Sequence, residues 1–328
     1  MSEHLTGKPV EVAVAPLTEP AAPMVPGVPA AASAVITPAG LGPVLLVPRR
    51  RREFLYYAGH NRKLIFGLSL EMLFVLGAIF GPLLSPHDPY AFFGSYLRPS
   101  AQHWLGTDNL GHDLFAQLVW GLRDSYLVGA LGALCASLVG MALGFTAGWR
   151  GGWVDEVLQM LTNIIVMIPA LVLLIVIGAY LKTRGVLFEG IFIGLTTWPW
   201  VARAVRAQTF TLRSREFVDL ARLSGQRAWR IVIRDIGPNM ASYLFLAVVL
   251  LFGSSMLLAA SYDFLGLGPT NGVSLGTMMN GANIYSALQL HQWWWFVAPG
   301  AVLTGMVAAL LIANVGLDEV FNPKLREQ

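Results

Sequence analysis

The chain has 328 residues, 55% hydrophobic and 12% charged, with a mean hydropathy of +0.60. A soluble globular domain carries about 25% charged residues, so this composition excludes an ordinary water-soluble fold and points to a surface that faces lipid. The single cysteine, Cys135, excludes an intrachain disulfide and a cysteine-based metal site, while a pI of about 9.1 raises nucleic acid as a partner until the charges are placed.

Residues 1–48 are rich in Pro, Ala and Val, hold few charges and show no helical or strand period. Repeated prolines remove backbone donors and break helices, so this stretch reads as a disordered tail. A signal peptide needs a basic region followed at once by an apolar one; here the block Arg49-Arg50-Arg51-Arg52 arrives too late. Residues 49–63 then form a basic segment ahead of the first apolar run.

Six apolar runs follow, at 64–84, 125–148, 159–181, 186–205, 240–262 and 293–316. Each has the roughly 20 to 24 residues that a helix needs to cross a bilayer. Inside lipid every backbone polar group must be paired within the segment, which selects helices. The fold class is therefore all-α, a polytopic membrane protein with six transmembrane helices. Eighteen of the 22 Lys and Arg fall on one side of these spans, and only Arg98, Arg123, Lys182 and Arg184 on the other. That bias puts both termini in the cytoplasm and turns the basic character into a topology signal, with no nucleic acid as partner. The chain divides into the tail, the basic segment, a first span with its extracytoplasmic loop (64–124), a core (125–317) holding a cytoplasmic loop at 203–239, and a cytoplasmic C-terminus (318–328).

The cytoplasmic loop is long and charged, and it has helical spacing. Phe217, Leu220, Ala221 and Ser224 recur as one mostly apolar stripe. Gly225 can leave the helix with positive φ, a second short helix begins near Gln226, and Pro238 stops it before the fifth span. Such a helix could rest on lipid or be gripped by a cytoplasmic partner. Elsewhere, Pro169 and Pro299 predict kinks, and Trp293-Trp294-Trp295 predicts an interfacial belt at the outer leaflet.

Other groups invite chemistry. His87, Asp88, His103, Asp108, His112 and Asp113 share one outer loop, with His291 in the other. Imidazole and carboxylate suit divalent metals, yet no pair has tight ligand spacing, and Gly-Thr-Asp and Gly-His-Asp read equally well as turns and caps. No metal and no cofactor are expected. Glu71, seven residues into the first span, is an intramembrane acid and so a candidate for the translocation path, although a neutral Glu packed against a partner helix fits as well. Ser254 and Ser255 are candidates for the same path, but small polar residues also mark helix packing. A phosphate-binding G-x-x-x-x-G-K-[ST] loop is absent: only Lys8 follows a Gly, and Pro9 comes next. No catalytic residue is expected.

The loop at 203–239 resembles the cytoplasmic "EAA" motif of bacterial ABC importer permeases. Asp219, Leu220, Ala221 and Gly225 align with its Glu-Ala-Ala and Gly, and Pro238-Asn239 with its closing Pro-Asn. The outer segment His103-Trp104-Leu105-Gly106-Thr107-Asp108-Asn109-Leu110-Gly111-His112-Asp113 is similar to the H-x-L-G-T-D-x-x-G-R-D segment of the dipeptide/oligopeptide/nickel subfamily, in its C-type subunit. Gly151-Gly152-Trp153-Val154-Asp155-Glu156, Ser214-Arg215-Glu216-Phe217-Val218 and Phe264-Leu265-Gly266-Leu267-Gly268 match in order. The chain departs from the pattern at Asp219, Leu220, Asp235 (usually His), Gly237, His112 (usually Arg) and Leu275.

The resemblance implies an ABC importer type I permease subunit in the bacterial inner membrane, forming half of a pore for dipeptides or oligopeptides. It implies a sister permease, two ATP-binding subunits or domains that hydrolyse ATP, and an extracytoplasmic substrate-binding protein. Docking to the ATPase would fall to Glu216, Phe217, Asp219, Leu220, Ala221, Ser224, Gly225, Asp235 and Pro238. The outer motif would comprise Gly106, Thr107, Asp108, Gly111, His112 and Asp113. A nickel or other small-solute permease of the same subfamily remains open. So does a proton-driven secondary transporter acting through Glu71, although no inverted repeat is evident.

Overall fold

The first long helix of the described residues, α1 (Arg62–Leu84), starts where the Asn61 side chain accepts the Leu64 N–H at 2.9 Å and so satisfies one orphan donor. The computed structural model describes residues 56–181 and 184–321. The tail 1–48, the basic block at 49–52, Lys182, Lys324 and Arg326 lie outside the described residues. Among the described residues, regular structure is helical apart from one β-bridge, Thr107 to Asp113.

Then come α2 (Leu114–Arg150), α3 (Gly152–Met167), α4 (Ala170–Tyr180) and α5 (Val186–Arg213). The short α6 (Glu216–Leu223) and α7 (Ala228–Ile231) lead into a π-helical turn, Val232–Ile236, and one further turn, Gly237–Asn239. The described residues close with α8 (Ala241–Tyr262), a π-helical turn Asp263–Leu267, α9 (Leu275–Ile284) and α10 (Trp293–Phe321).

Among the described residues, four helices are long and apolar enough to cross a membrane: α1, α2, α8 with its π turn, and α10; the bent pair α3 and α4 makes a fifth if it is one span. The run expected at 159–181 is thus two helices meeting at 79°. Pro169 causes the break: it lacks an N–H and pushes Ile168 out of the helical region, to φ −89 and ψ 121. Pro299, expected to kink its helix, lies inside α10, which continues through it. α5 is long enough but less apolar, because it carries Glu189 and the arginines Arg203, Arg206 and Arg213. Glu189, Thr196 and Pro199 on its first half are buried by protein.

Small residues set the packing. Gly140, Gly144 and Gly148 recur every fourth residue along α2 and face α5. A Cβ on Gly144 would fall 2.7 Å from the Ala202 carbonyl, and one on Gly148 2.8 Å from that of Arg206. Such stripes let backbones approach where lipid supplies no hydrophobic drive. The same device joins α1 to α10, where a Cβ on Gly67 would lie 2.4 Å from the Ala313 nitrogen. The α2–α5 pair extends past the apolar runs that predict it. Its ends carry α6 on one side of the bundle and the loop before α2 on the other.

Candidate functional site

The segment after α5 has two faces. α6 is eight residues long, and its C-terminus closes with the Gly225 N–H on the Arg222 carbonyl (2.9 Å) and the Gln226 N–H on the Ala221 carbonyl (3.2 Å). That pattern needs a left-handed residue, and Gly225 supplies it at φ +71. Val218 and Ala221 are buried in one cluster with Ile231, Ile236, Val205 and Trp198, and Phe217 packs against it. Leu220 and Leu223 point away, 64% and 85% exposed, and Glu216, Asp219 and Ser224 are exposed with them. The expected single stripe Phe217–Leu220–Ala221–Ser224 is therefore split. Spacing alone does not choose between two apolar faces of a short helix; the position of the bundle does. The next helix begins at Ala228 rather than near Gln226, and Pro238 sits within the turn Gly237–Asn239. Asp235 is half-buried there, and its carbonyl accepts from Asn239 Nδ2 at 2.6 Å.

Cationic side chains tie α6 to the bundle. Arg222 lies over the Trp149 ring at 5.0 Å, and Arg213 Nη1 donates to the Trp149 carbonyl at 2.8 Å. About two turns earlier, Arg206 forks onto Asp155 of α3 with both bonds at 2.5 Å, and Arg203 Nη2 donates to Asn163 at 2.8 Å. Bidentate guanidinium–carboxylate pairs fix geometry as well as adding energy. Arg222 thus joins α6 to Trp149 of α2, while the Arg206–Asp155 pair joins α5 to α3. Sequence reasoning missed Trp149 and Arg206; the signal was a tryptophan in the last turn of α2 and an arginine in the last third of α5.

A groove of about 590 Å³ opens along the bundle where the Ile168-Pro169 break, Thr197 and Trp200 of α5, Ser254 of α8 and Leu311 of α10 meet. A second of about 530 Å³ shares Trp200 and Leu250 and ends at Lys63, Asp318 and Glu319. Of the residues proposed for a path, only Ser254 lines this groove. Ser255 is fully buried against Gly132, and Glu71 accepts a hydrogen bond from the Tyr126 hydroxyl at 2.8 Å. The fold does not bring the three together. Sequence reasoning missed another intramembrane acid, Glu189, which is buried on α5 and obeys the same rule as Glu71.

The outer motif is a scaffold. Gly106 and Gly111 take positive φ, +73 and +88. Thr107 Oγ1 donates to the Gly94 carbonyl (2.5 Å) and accepts the Leu97 N–H (2.9 Å). Asp108 accepts the N–H groups of Leu110 and His112 and the Gln117 amide, all at 2.8 Å. Asp113 caps α2 by accepting the Ala116 N–H at 2.9 Å. His112 pairs with Asp108, whereas His87 and His103 turn toward Asp113.

Residues 140–327 match the family described as binding-protein-dependent transport system inner membrane component. The chain is 32% identical over 296 residues to the di/tripeptide transport system permease protein DppC of Pseudomonas aeruginosa, covering 87% of this chain and 95% of that one. It is 30% identical over 290 residues to a Brucella suis protein assigned as a peptide permease, covering 88% and 93%.

Proposed function

The chain belongs to the binding-protein-dependent transport system inner membrane components, and from that premise we propose that it is the permease subunit of an ATP-driven importer for dipeptides or oligopeptides. It is a transport subunit of an ABC system, multi-pass in the inner membrane, and it works with ATPase and substrate-binding partners. The peptide substrate rests on the names its relatives carry. A sister permease would complete the pore against the groove lined by Ser254 and Trp200. Six crossings with both termini cytoplasmic follow if α3 with α4 is one span and α5 another, a count supported by the Lys and Arg bias.

The observation that carries the mechanism is the two-faced α6. Its inner face, Val218 and Ala221, belongs to the bundle core; its outer face, Leu220 and Leu223, is left open. Closure of the ATPases would push α6 through that outer face. The bundle would follow through the core cluster that holds Val218 and Ala221 and through the Trp149 contact, and the groove would alternate between inward and outward access. Such a shift needs ATP binding to favour one state of the bundle over the other.

The test is copurification of the tagged full chain from detergent, with mass spectrometry of what comes with it. A second permease, an ATPase bearing a phosphate-binding loop and a substrate-binding protein are expected. Recovery of this chain alone, active in liposomes without ATP, overturns the reading.

A further inference from the structure

Three ligand-type side chains converge in the loop between α1 and α2. His103 Nδ1 lies 2.6 Å from Asp113 Oδ2, and His87 Nδ1 lies 3.1 Å from that same oxygen. The ligand atoms of the three fall within 4.8 Å of one another. Asp113 and His103 are buried, and the His87 side chain keeps 22% of its surface open, so the cluster is enclosed with one side toward water. Sequence spacing hid this arrangement, because the three residues are far apart along the chain.

From this geometry we infer that His87, His103 and Asp113 form a binding site for a divalent transition-metal ion of the zinc type. Zinc binds imidazole nitrogen and carboxylate oxygen at about 2.0 to 2.2 Å. Two ligand atoms in the tetrahedral arrangement that zinc favours are then roughly 3.4 Å apart. The two contacts to Asp113 Oδ2, at 2.6 and 3.1 Å, are shorter than that, so a bound ion requires the imidazoles to draw back from the carboxylate by roughly 0.3 to 0.8 Å. Asp113 is already oriented as a ligand, because its Oδ1 is held by the Ala116 N–H at 2.9 Å, which leaves Oδ2 to the two imidazoles. Such an outer hydrogen bond is what fixes a ligating carboxylate. The rings are also confined, with Phe93 4.6 Å from His87 and 4.7 Å from His103 between ring centroids. Without an ion, one carboxylate oxygen must take two N–H donors; with one, the cation replaces both protons and the open side admits water as a further ligand. The ion would clamp the exit of α1 to the start of α2.

The site is independent of what the protein transports, and its test does not use transport. The full chain, carrying an affinity tag free of histidine, is stripped with a chelator in detergent and titrated with Zn²⁺, with bound metal counted by elemental mass spectrometry. One ion per chain is expected. Co²⁺ in its place should give visible absorption bands of a nitrogen- and oxygen-ligated site. His87→Gln keeps a hydrogen-bond donor for Asp113 but removes an imidazole, so it should fold and bind at least about 10-fold more weakly. His60→Ala, a histidine outside the cluster, should leave binding unchanged. Equal binding by wild type and His87→Gln, or none by the wild type, overturns the site and leaves only a hydrogen-bonded cap.

Discussion

The loop before α2 and the segment around α6 make a useful contrast. Both are irregular connections in a chain built of long helices, and both hold recognisable motifs. In the loop nearly every motif side chain bonds inward: Thr107 to Gly94 and Leu97, Asp108 to three donors, Asp113 to Ala116. Within α6 the buried residues are Val218 and Ala221, with Trp149 held by Arg213 and Arg222, and the large apolar side chains of Leu220 and Leu223 face outward. Buried, fully satisfied polar networks rigidify. A helix held on one face and open on the other is suited to being gripped and moved.

The largest effect should come from severing α6 from its core. Val218 is completely buried, and Val218→Asp would place an unpaired carboxyl there, at a cost of about 3 to 5 kcal/mol. Thermal melting in detergent should drop sharply, and uptake should be lost. Unchanged melting would mean that α6 is not seated as described. Next comes the loop. Asp108→Ala removes the acceptor of three hydrogen bonds and strands the buried Gln117 amide, which should cost about 2 to 3 kcal/mol. The contrast predicts that this variant still recovers ATPase partners from detergent while melting earlier. Loss of the partners with melting intact would put the loop in the assembly surface.

The sequence makes this difference only partly legible. Apolar runs locate the long helices, because burying a spanning segment in lipid requires them. They miss residues 114–124 of α2 and 206–213 of α5, where the helices continue among polar residues such as Gln117, Asp124 and Arg206. Gly225 is readable as a helix end because only a residue tolerant of positive φ fits there. Which face of α6 turns inward is not readable, since Leu220 and Leu223 are as apolar as Val218 and Ala221. Likewise the meeting of His87 and His103 at Asp113 depends on tertiary turns at Gly106 and Gly111, so local spacing conceals it. The small stripe Gly140, Gly144 and Gly148 is visible as composition, yet only the fold shows which helix it faces.

A middle effect belongs to Gly225. Its φ of +71, with open space around the missing Cβ, means that the Cβ of Gly225→Val meets no neighbour and that the cost is mainly conformational. That cost is roughly 1 to 2 kcal/mol, enough to refold the turn locally without unfolding the bundle. The purified complex should keep hydrolysing ATP while peptide uptake falls. Uptake that stays in step with hydrolysis would take this turn out of the coupling route.

The smallest effect on stability should accompany one of the clearest effects on assembly, and here the contrast is sharpest. Leu223 is 85% exposed, so Leu223→Ser removes a side chain that contributes almost nothing to the bundle. Surface changes of this kind stay within about 0.5 kcal/mol, and melting should not move. If the outer face of α6 is where the ATPase seats, the same substitution removes apolar area from that contact, and less ATPase should copurify. Leu220→Ser should act in the same direction. Phe217→Ser, on the side that packs against the core, should instead lower melting. If Leu223→Ser and Leu220→Ser leave ATPase recovery at the wild-type level, the exposed leucines belong to lipid. The force from ATP would then have to enter the bundle through another surface, such as the turn at Gly237–Asn239.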